Sequence, residues 1–225
     1  MIKERIPVKA VMIDLDGTLL DTAKDLSTAA NLTLSELGHR ALDPEIVKSF
    51  IGKGVANLLR QSLIASTGNE PEAFEQAMEI FERHYETVLS DESRPYPGVV
   101  EGLEAMKSAG YNLACITNKV ERFTVPLLRD TGLYDYFEIV LSGDSLPRKK
   151  PDPLPLLHAC NHFGMAPSEM LLIGDSVNDV QAARAAGCTV FCVPYGYNEG
   201  RDVRELDMDA LVESLLEASK LIERI

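Results

Sequence analysis

Features that would assign this chain to a membrane or secreted class are missing from its sequence. No apolar run approaches the roughly 20 residues that a helix needs to cross a bilayer. The opening residues 1–5 precede no apolar signal region. We therefore expect a cytoplasmic protein without a membrane partner.

Cysteine is also scarce. The four cysteines form no CxxC pair and lie mostly in apolar segments; they are Cys115, Cys160, Cys188 and Cys192. This pattern favours reduced, buried thiols over a disulfide framework.

Basic residues are few compared with acidic ones. The chain has 22 lysines and arginines against 35 aspartates and glutamates, for a net charge of −13. We expect no nucleic-acid partner, because binding to a phosphate backbone depends on clustered basic charge. An acidic protein can still bind an anionic metabolite where a metal ion, a lysine or backbone N–H groups reverse the potential locally.

Strand and helix patterns alternate along most of the chain, whose 225 residues suffice for one or two domains. Buried-type apolar runs occur at residues 11–13, 113–116, 138–141, 170–173 and 189–193. Helical patterns lie between or before the later runs, at residues 99–109, 121–130, 152–163 and 177–186. Strands without polar alternation that are separated by helices indicate a parallel sheet covered on both faces.

Two stretches of the second half are less regular. Pro126 falls inside a helical pattern, where it either lies near the first turn or kinks the helix. The tail from Asp209 to Ile225 has helical spacing of its apolar residues, and we predict a single amphipathic helix there.

The segment between residues 22 and 91 contains helical patterns and no strand-like run. Four helices are predicted, at residues 26–37, 44–51, 55–64 and 74–89. The sequence therefore predicts an α/β fold, with a Rossmann-like parallel sheet core and an inserted helical cap domain. We place the core at residues 1–19 and 93–225, and the cap at residues 20–92.

The first apolar run ends abruptly in Asp14, Leu15, Asp16 and Gly17. Alternate residues of a strand project to the same side, so Asp14 and Asp16 can address one site. Ligands of open α/β sheets bind outside the carboxyl ends of the strands, and a glycine lets the backbone turn sharply there. An acidic pair in an ordinary surface turn is the alternative.

Three later segments also place polar groups after a predicted strand or before a predicted helix. Thr117 and Asn118 could hold a phosphoryl oxygen, or they could simply cap a helix. Lys150 belongs to a basic run that otherwise reads as a solvated loop. Asp175 and Asp179 follow the run at residues 170–173, and Asp179 alone could serve as a helix cap.

The four segments, in this order, resemble the four motifs of the haloacid dehalogenase superfamily. The resemblance is carried by Asp-Leu-Asp-Gly-Thr-Leu-Leu-Asp-Thr at residues 14–22, by Thr117-Asn118, by Lys150 and by Gly174-Asp175-Ser176-Val177-Asn178-Asp179. It implies a phosphotransferase fold whose helical insertion is a cap.

The resemblance also implies a role for each matching residue. Asp14 would be the nucleophile and Asp16 the general acid and base, while Lys150 would neutralise the phosphoryl group. Mg²⁺ would be held by Asp14, Asp175 and the backbone carbonyl of Asp16. The phosphate would further contact Gly17, Thr117 and Asn118.

A second anion could bind the predicted cap. Ile51-Gly52-Lys53-Gly54 directly precedes a helical pattern, so N–H groups and the Lys53 cation could converge there. A flexible glycine loop with a solvated lysine is the alternative. This segment and Val193-Pro194-Tyr195-Gly196-Tyr197-Asn198 resemble the phosphoglycolate phosphatases of the superfamily.

The expected activity is therefore hydrolysis of a small phosphorylated metabolite, with 2-phosphoglycolate as the first candidate, by a monomer or homodimer. A sugar-phosphate phosphatase or a phosphomutase resembling β-phosphoglucomutase would carry the same motifs. A catalytically silent phospho-accepting or binding module is the alternative from another class.

Overall fold

The computed structural model of the chain describes residues 5–225. Residues 1–4, which the predictions of the core domain and of a missing signal region include, lie outside the described residues. Within the described part, no helix combines the length and the apolar character needed to cross a membrane.

The strands of the described residues are short and mostly buried. In chain order they are β1 (Ile6–Val8), β2 (Ala10–Ile13), β3 (Leu20–Asp21), β4 (Arg94–Pro95), β5 (Asn112–Ile116), β6 (Ile139–Leu141), β7 (Met170–Gly174), β8 (Thr189–Cys192), β9 (Ala210–Leu211) and β10 (Ile222–Arg224).

The α-helices of the same part of the chain fall into two groups, four before β4 and five after it. In chain order they are α1 (Ala23–Glu36), α2 (Pro44–Lys48), α3 (Val55–Thr67), α4 (Phe74–Val88), α5 (Val99–Ser108), α6 (Glu121–Asp130), α7 (Leu154–Phe163), α8 (Val177–Ala186) and α9 (Leu215–Leu221).

Six of the strands form one parallel sheet in the order β6-β5-β2-β7-β8-β9. The α/β fold predicted from the sequence is therefore confirmed. Parallel strands must be joined by crossovers, and helices α5 to α8 provide them on the two faces of the sheet.

Strand alternation divides the apolar residues between two cores. Val11 and Ile13 of β2 are buried on one face, in a cluster with residues of α5, α6 and α9. Ala10 and Met12 of the same strand are buried on the other face, in a cluster with residues of α7 and α8. Both faces of β2 are thus covered, which explains why its sequence has no polar alternation.

The register of the sheet places the ends of β2, β5 and β7 side by side. Ile13 pairs with Cys115 of β5 and with Ile173 of β7. The residues that follow these three strands therefore meet at one edge of the sheet.

Helices α1 to α4 form an insertion that leaves the core after β3 and returns through β4. These two strands pair antiparallel, with Leu20 opposite Pro95 and Asp21 opposite Arg94. The buried carboxylate of Asp25 in α1 also accepts hydrogen bonds from the N–H groups of Glu92 and Ser93, at 3.0 and 2.9 Å. The two connections are thus tied to each other.

The predicted tail helix is wrong in its extent. Only α9 is helical, because Ala210 and Leu211 pair with β8 and Ile222–Arg224 pairs with β1. Ser214 begins α9 as its N-cap, accepting a hydrogen bond from the N–H of Glu217 at 3.1 Å. Backbone pairing with distant strands outweighs the local helical spacing here.

Elsewhere the predicted helices agree with the structure to within three residues at each end; α2, for example, ends at Lys48 and not at Ile51. Helices α6 and α8 have the predicted bounds, and α6 contains Pro126. All four cysteines are buried free thiols.

Candidate active site

The centre of the site is a buried set of charged side chains at the edge where β2, β5 and β7 end. Asp14 and Asp175 each follow directly on their strand, and Lys150 and Asp179 join them from neighbouring segments. All four are at most 9% exposed. Such charges persist in the interior only when they are paired or hold an ion.

Asp14 is held by its own backbone and by Lys150. The N–H of Asp14 donates to the carbonyl of Ile173 at 2.9 Å, which fixes the residue at the end of the β2–β7 ladder. Its Oδ1 lies 2.8 Å from Lys150 Nζ. Burial raises the pKa of Asp14 well above its ordinary value, and the Lys150 charge acts in the opposite direction. Lys150 therefore favours the ionised, nucleophilic form.

Lys150 has three N–H donors, and three acceptors surround it. They are the carbonyl of Ile116 at 2.6 Å, Asp179 Oδ1 at 2.6 Å and Asp14 Oδ1 at 2.8 Å. Burial by itself lowers a lysine pKa, but the charges of Asp14 and Asp179 raise the pKa of Lys150 above its ordinary value. Lys150 is thus a permanent cation in a fixed position.

Asp179 is completely buried and holds Lys150 in place. Its Oδ2 accepts from the hydroxyl of Ser176 at 2.6 Å and from the N–H of Ser176 at 3.2 Å. Since its Oδ1 binds Lys150, both oxygens already have protein partners. Asp179 combines the helix-capping role considered from the sequence with the orientation of the lysine.

Asp175 is enclosed by two loops that leave no room for side chains. Its Oδ1 accepts from the Thr18 hydroxyl at 3.2 Å, and its Oδ2 accepts from the N–H of Tyr197 at 2.7 Å. A Cβ on Gly17 would lie 2.5 Å from Asp175 Oδ2, and one on Gly196 would lie 2.1 Å from Asp175 Cβ. Gly17 also has φ of +87°, so both its conformation and its surroundings require glycine.

The carboxylates of Asp14, Asp175 and Asp179 suit a hard metal ion. One oxygen of each lies within 4.8 Å of the others. Three carboxylates share one ammonium, so two negative charges remain when all are ionised, which a divalent cation would balance. Burial, and then the charge of Asp179, raise the pKa of Asp175 to about 7. An all-oxygen donor set of this kind fits Mg²⁺, Ca²⁺ or Mn²⁺ better than soft metals.

Asp16 belongs to a second ion pair, beside the first. Lys119 Nζ lies 2.9 Å from Asp16 Oδ1 and 3.1 Å from Oδ2. The Thr22 hydroxyl donates to Oδ1 at 2.7 Å. Although burial lowers a lysine pKa, the Asp16 charge outweighs it and the pKa of Lys119 is raised. Lys119 Nζ also lies 5.0 Å from the ring centre of Tyr85 in α4.

Sequence reasoning did not select Lys119 as a site residue. Its position directly after Thr117-Asn118 was the available signal, since residues that follow β5 face the same edge as Asp14 and Asp16. The partner, 103 positions earlier in the chain, is set by the pairing of β5 with β2.

A narrow cleft lies between this edge and the helical insertion. The core side is formed by polar residues and the opposite side mainly by apolar ones. The lining residues include Asp14, Asp16, Thr117, Lys119, Leu26, Ile51, Val55 and Leu58. The N-terminal end of α3 faces the cleft at Gly54 and Val55, so the first N–H groups of that helix contribute a positive end.

Three of the phosphate-binding candidates have protein partners of their own. Thr117 lines the cleft, and its hydroxyl oxygen accepts from the N–H of Lys119 at 3.1 Å. Asn118 Nδ2 donates to the carbonyls of Lys150 at 2.9 Å and Gly52 at 3.3 Å, so it links the core to the insertion. The N–H of Gly17 donates to the carbonyl of Leu20 at 2.9 Å.

Lys53 lies at the rim of the site and not in the cleft. It is exposed, and its carbonyl accepts from Lys149 Nζ at 3.2 Å. A more open depression, which shares Asn118 with the cleft, is lined by Lys53, Lys149, Lys150 and Arg201, among other residues. Among the described residues, Lys119 is the cationic residue that lines the cleft.

Comparison with known proteins identifies the family. The model of the haloacid dehalogenase-like hydrolase family matches residues 11–193. A phosphoglycolate phosphatase of Nitrosospira multiformis is 61% identical over 221 residues, or 97% of each chain. A second relative of that name, from Thiobacillus denitrificans, is 59% identical with the same coverage.

A solved structure is also similar over nearly the whole chain. The crystal structure of a predicted phosphoglycolate phosphatase from Haemophilus somnus matches with a TM-score of 0.91 at 33% identity, covering 95% of this chain and 97% of that one. With two paired carboxylates at the end of β2 and a family match over most of its length, the chain belongs to the haloacid dehalogenase-like hydrolases.

Proposed function

We propose that this chain is a metal-dependent phosphomonoesterase that hydrolyses 2-phosphoglycolate to glycolate and phosphate through an aspartyl-phosphate on Asp14. The observation that carries the proposal is the Asp14 carboxylate, which lies at the edge of the sheet, 2.8 Å from the Lys150 ammonium and beside Asp175. The similarity to relatives named phosphoglycolate phosphatase supports the choice of substrate.

Asp14 is the proposed nucleophile. One of its oxygens attacks phosphorus while the bond from phosphorus to the glycolate oxygen breaks. The attack requires an ionised carboxylate, and Lys150 favours that form against the effect of burial. Lys150 then lies close enough to neutralise charge on the phosphoryl oxygens.

Asp16 is the proposed general acid and base. Protonated at the start of the cycle, it gives that proton to the leaving alkoxide and regains one from the water that attacks the aspartyl-phosphate and releases phosphate. Lys119 and Thr22 restrict its rotation, since they contact its oxygens at 2.9 and 2.7 Å. The carboxylate is thereby kept at the cleft.

Mg²⁺ is the proposed metal, held by Asp14, Asp175 and the backbone carbonyl of Asp16. When bound, it would offset the charge of the carboxylates and polarise the phosphoryl group. Asp179 is not included among the ligands, because its Oδ1 is paired with the Lys150 cation and its Oδ2 already accepts two hydrogen bonds from Ser176, whereas each oxygen of Asp175 has one uncharged donor.

The phosphoryl group is proposed to sit between Asp14, Lys150 and Thr117. Gly17 and Asn118 are proposed to shape the site, because the Gly17 N–H and Asn118 Nδ2 already donate to protein carbonyls. Residues 20–92 are proposed to act as a cap that excludes water from this space. Ile51, Val55 and Leu58 give the cap side of the cleft its apolar surface.

The substrate carboxylate is proposed to bind between Lys119 and the N-terminal end of α3. The Lys119 ammonium has three N–H donors. It contacts Asp16 and lies at the cleft, so it can also bind a second anion there. The N-terminal end of α3 at Gly54 and Val55 faces it from the insertion. The role that the sequence suggested for Lys53, which is exposed at the rim, stays a prediction.

The first experiment measures phosphate release from 2-phosphoglycolate, sugar phosphates and nucleotides, with Mg²⁺ and with chelator. Preference for 2-phosphoglycolate in the presence of Mg²⁺ is expected. Preference for a sugar phosphate would reject the substrate and keep the chemistry, whereas no release from any compound would reject both.

The nucleophile is tested with Asp14→Asn. An amide is a far weaker nucleophile than a carboxylate, so this variant is expected to show neither turnover nor a phosphoenzyme. Substantial turnover by the variant would reject the role of Asp14.

The carboxylate site is tested by comparing 2-phosphoglycolate with ethyl phosphate, which keeps the ester and both carbons but lacks the carboxylate. Lys119→Met affects Asp16 for both substrates, so the ratio of their kcat/KM values isolates the carboxylate contact. We expect the kcat/KM for 2-phosphoglycolate, divided by that for ethyl phosphate, to fall by about 10-fold or more in this variant, the usual cost of losing a charged contact. Lys53→Met is the matched control and should leave the ratio unchanged.

A further inference from the structure

The loop that follows β8 contacts two parts of the molecule that have separate roles in the proposed reaction. Its segment Pro194-Tyr195-Gly196-Tyr197-Asn198 was one of the two stretches that the sequence singled out beyond the catalytic motifs. Tyr197 is 5% exposed, although it lies in a loop. Burial of a loop tyrosine requires partners for its polar groups.

One end of Tyr197 contacts the proposed metal ligand. Its backbone N–H donates to Asp175 Oδ2 at 2.7 Å. The approach depends on the preceding residue, because a Cβ on Gly196 would lie 2.1 Å from Asp175 Cβ. The loop is thus built to pass directly over this carboxylate.

The other end of Tyr197 contacts the connection to the helical insertion. Its hydroxyl accepts from the N–H of Thr22 at 2.7 Å and donates to Asp21 Oδ1 at 2.9 Å. Asp21 ends β3 and Thr22 is the N-cap of α1, so both lie where the chain enters the insertion. Lys48 of α2 also lies over the Tyr197 ring, 5.8 Å from its centre.

We propose that Tyr197 is a positioning residue that couples the orientation of Asp175 to the position of the helical insertion. A change in the backbone at Asp21 and Thr22 displaces the Tyr197 hydroxyl, and the same residue then carries the displacement to the N–H on Asp175. Conversely, a metal ion that fixes Asp175 fixes Tyr197 and stabilises the β3 and β4 connection. The coupling rests on the proposed function only in taking Asp175 as a metal ligand.

Neighbouring Tyr195 provides a matched control. Its hydroxyl donates to the Thr18 carbonyl at 3.1 Å, and its ring packs on Tyr96 with centres 4.3 Å apart. Tyr195→Phe therefore removes one half-buried hydroxyl from the same loop without touching Asp21 or Thr22. Tyr197→Phe removes the contact to the insertion and keeps the N–H on Asp175.

The experiment is amide hydrogen exchange of the full chain, in Mg²⁺ and in chelator, without substrate. The amide of Thr22 reports the Tyr197 contact directly, and the amide of Tyr96, which donates to the Leu19 carbonyl at 3.1 Å, reports the connection itself. In the wild type we expect Mg²⁺ to slow exchange at both amides by about 5-fold or more, the lower end of usual coupling between sites.

In Tyr197→Phe the Mg²⁺ effect at Tyr96 should disappear, and in Tyr195→Phe it should persist. Asp21→Ala interrupts the same link from the insertion side and should reduce the effect, which keeps the test valid if the first variant is unstable. An unchanged Mg²⁺ effect at Tyr96 in Tyr197→Phe would overturn the proposal. So would equal loss in both tyrosine variants, or a wild type that does not respond to Mg²⁺.

Because the readout uses Mg²⁺ alone, its outcome does not depend on which phosphate ester is the substrate. Kinetics separate a positioning role from simple destabilisation. Loss of coupling should raise KM for 2-phosphoglycolate more than it lowers kcat, since the insertion closes less firmly while the N–H on Asp175 is kept. A fall in kcat alone would contradict the coupling.

Discussion

Replacing Lys150 by methionine tests how the buried charges of the site are balanced. The substitution keeps most of the volume of the side chain and removes one ammonium that contacts Asp14, Asp179 and the Ile116 carbonyl. The residue is only 3% exposed, so water cannot replace these contacts without a local opening.

The expected cost follows from that burial. Removing one partner of a buried ion pair destabilises a protein by about 3–5 kcal/mol, because the remaining charge is uncompensated. For a chain of this size each kcal/mol lowers Tm by about 2–4 °C, so we expect a decrease of about 6–20 °C for Lys150→Met at neutral pH in chelator.

The cost should shrink at lower pH. Without Lys150, Asp14 avoids an unpaired charge by taking up a proton. Each pH unit changes the free-energy cost of the substitution by about 1.4 kcal/mol. The stability difference between wild type and variant is therefore largest at neutral or higher pH and narrows as pH falls towards 5.5.

Urea unfolding at several pH values measures this difference. Lys149→Met is the control, because Lys149 is exposed and its Nζ contacts only a carbonyl oxygen among the contacts described above, at 3.2 Å. We expect the control to change stability by less than about 1 kcal/mol. Equal stabilities of Lys150→Met and wild type at pH 7.5, or a difference that grows as pH falls, would refute the reasoning.

Three further outcomes are expected. Gly196→Ala should weaken Mg²⁺ binding, measured by calorimetry, because its Cβ would lie 2.1 Å from Asp175 Cβ; unchanged affinity would contradict the steric account. Since burial raises the pKa of Asp175 to about 7, Mg²⁺ must displace protons at pH 6, and its affinity should rise up to about 10-fold per unit below pH 7, with proton release seen in buffers of different ionisation enthalpy. A pH-independent affinity would exclude this competition. Asp25→Asn should cost about 1.5–3 kcal/mol in urea unfolding, because a charged acceptor of the Ser93 N–H and hydroxyl is lost; a neutral effect would contradict the tie between the two connections.

The sequence alone determined the order of the helices and of five of the six strands in the parallel sheet, and the placement of the first carboxylates. Val11 to Ile13 is apolar on both faces, which is typical of a strand covered by helices on both sides, and Asp14 follows it immediately. Strand ends in a parallel sheet share one edge, so the meeting of Asp14 with Asp175 could be predicted before the register was known. Short-range patterns were sufficient for these features.

Only the tertiary structure decided which charges pair across that edge and where the cation of the cleft lies. Lys119 reaches Asp16 because β5 lies beside β2, while Lys53, also a lysine and beside two glycines, is exposed at the rim. The tail departs from its helical pattern for the same reason, since Ala210 and Ile222 gain strand partners far away in the chain. Likewise, nothing in the local sequence of Tyr197 places its hydroxyl on Thr22, 175 positions away. Contacts between distant segments are fixed by how the elements pack, and a local pattern records only which side chains are available for them.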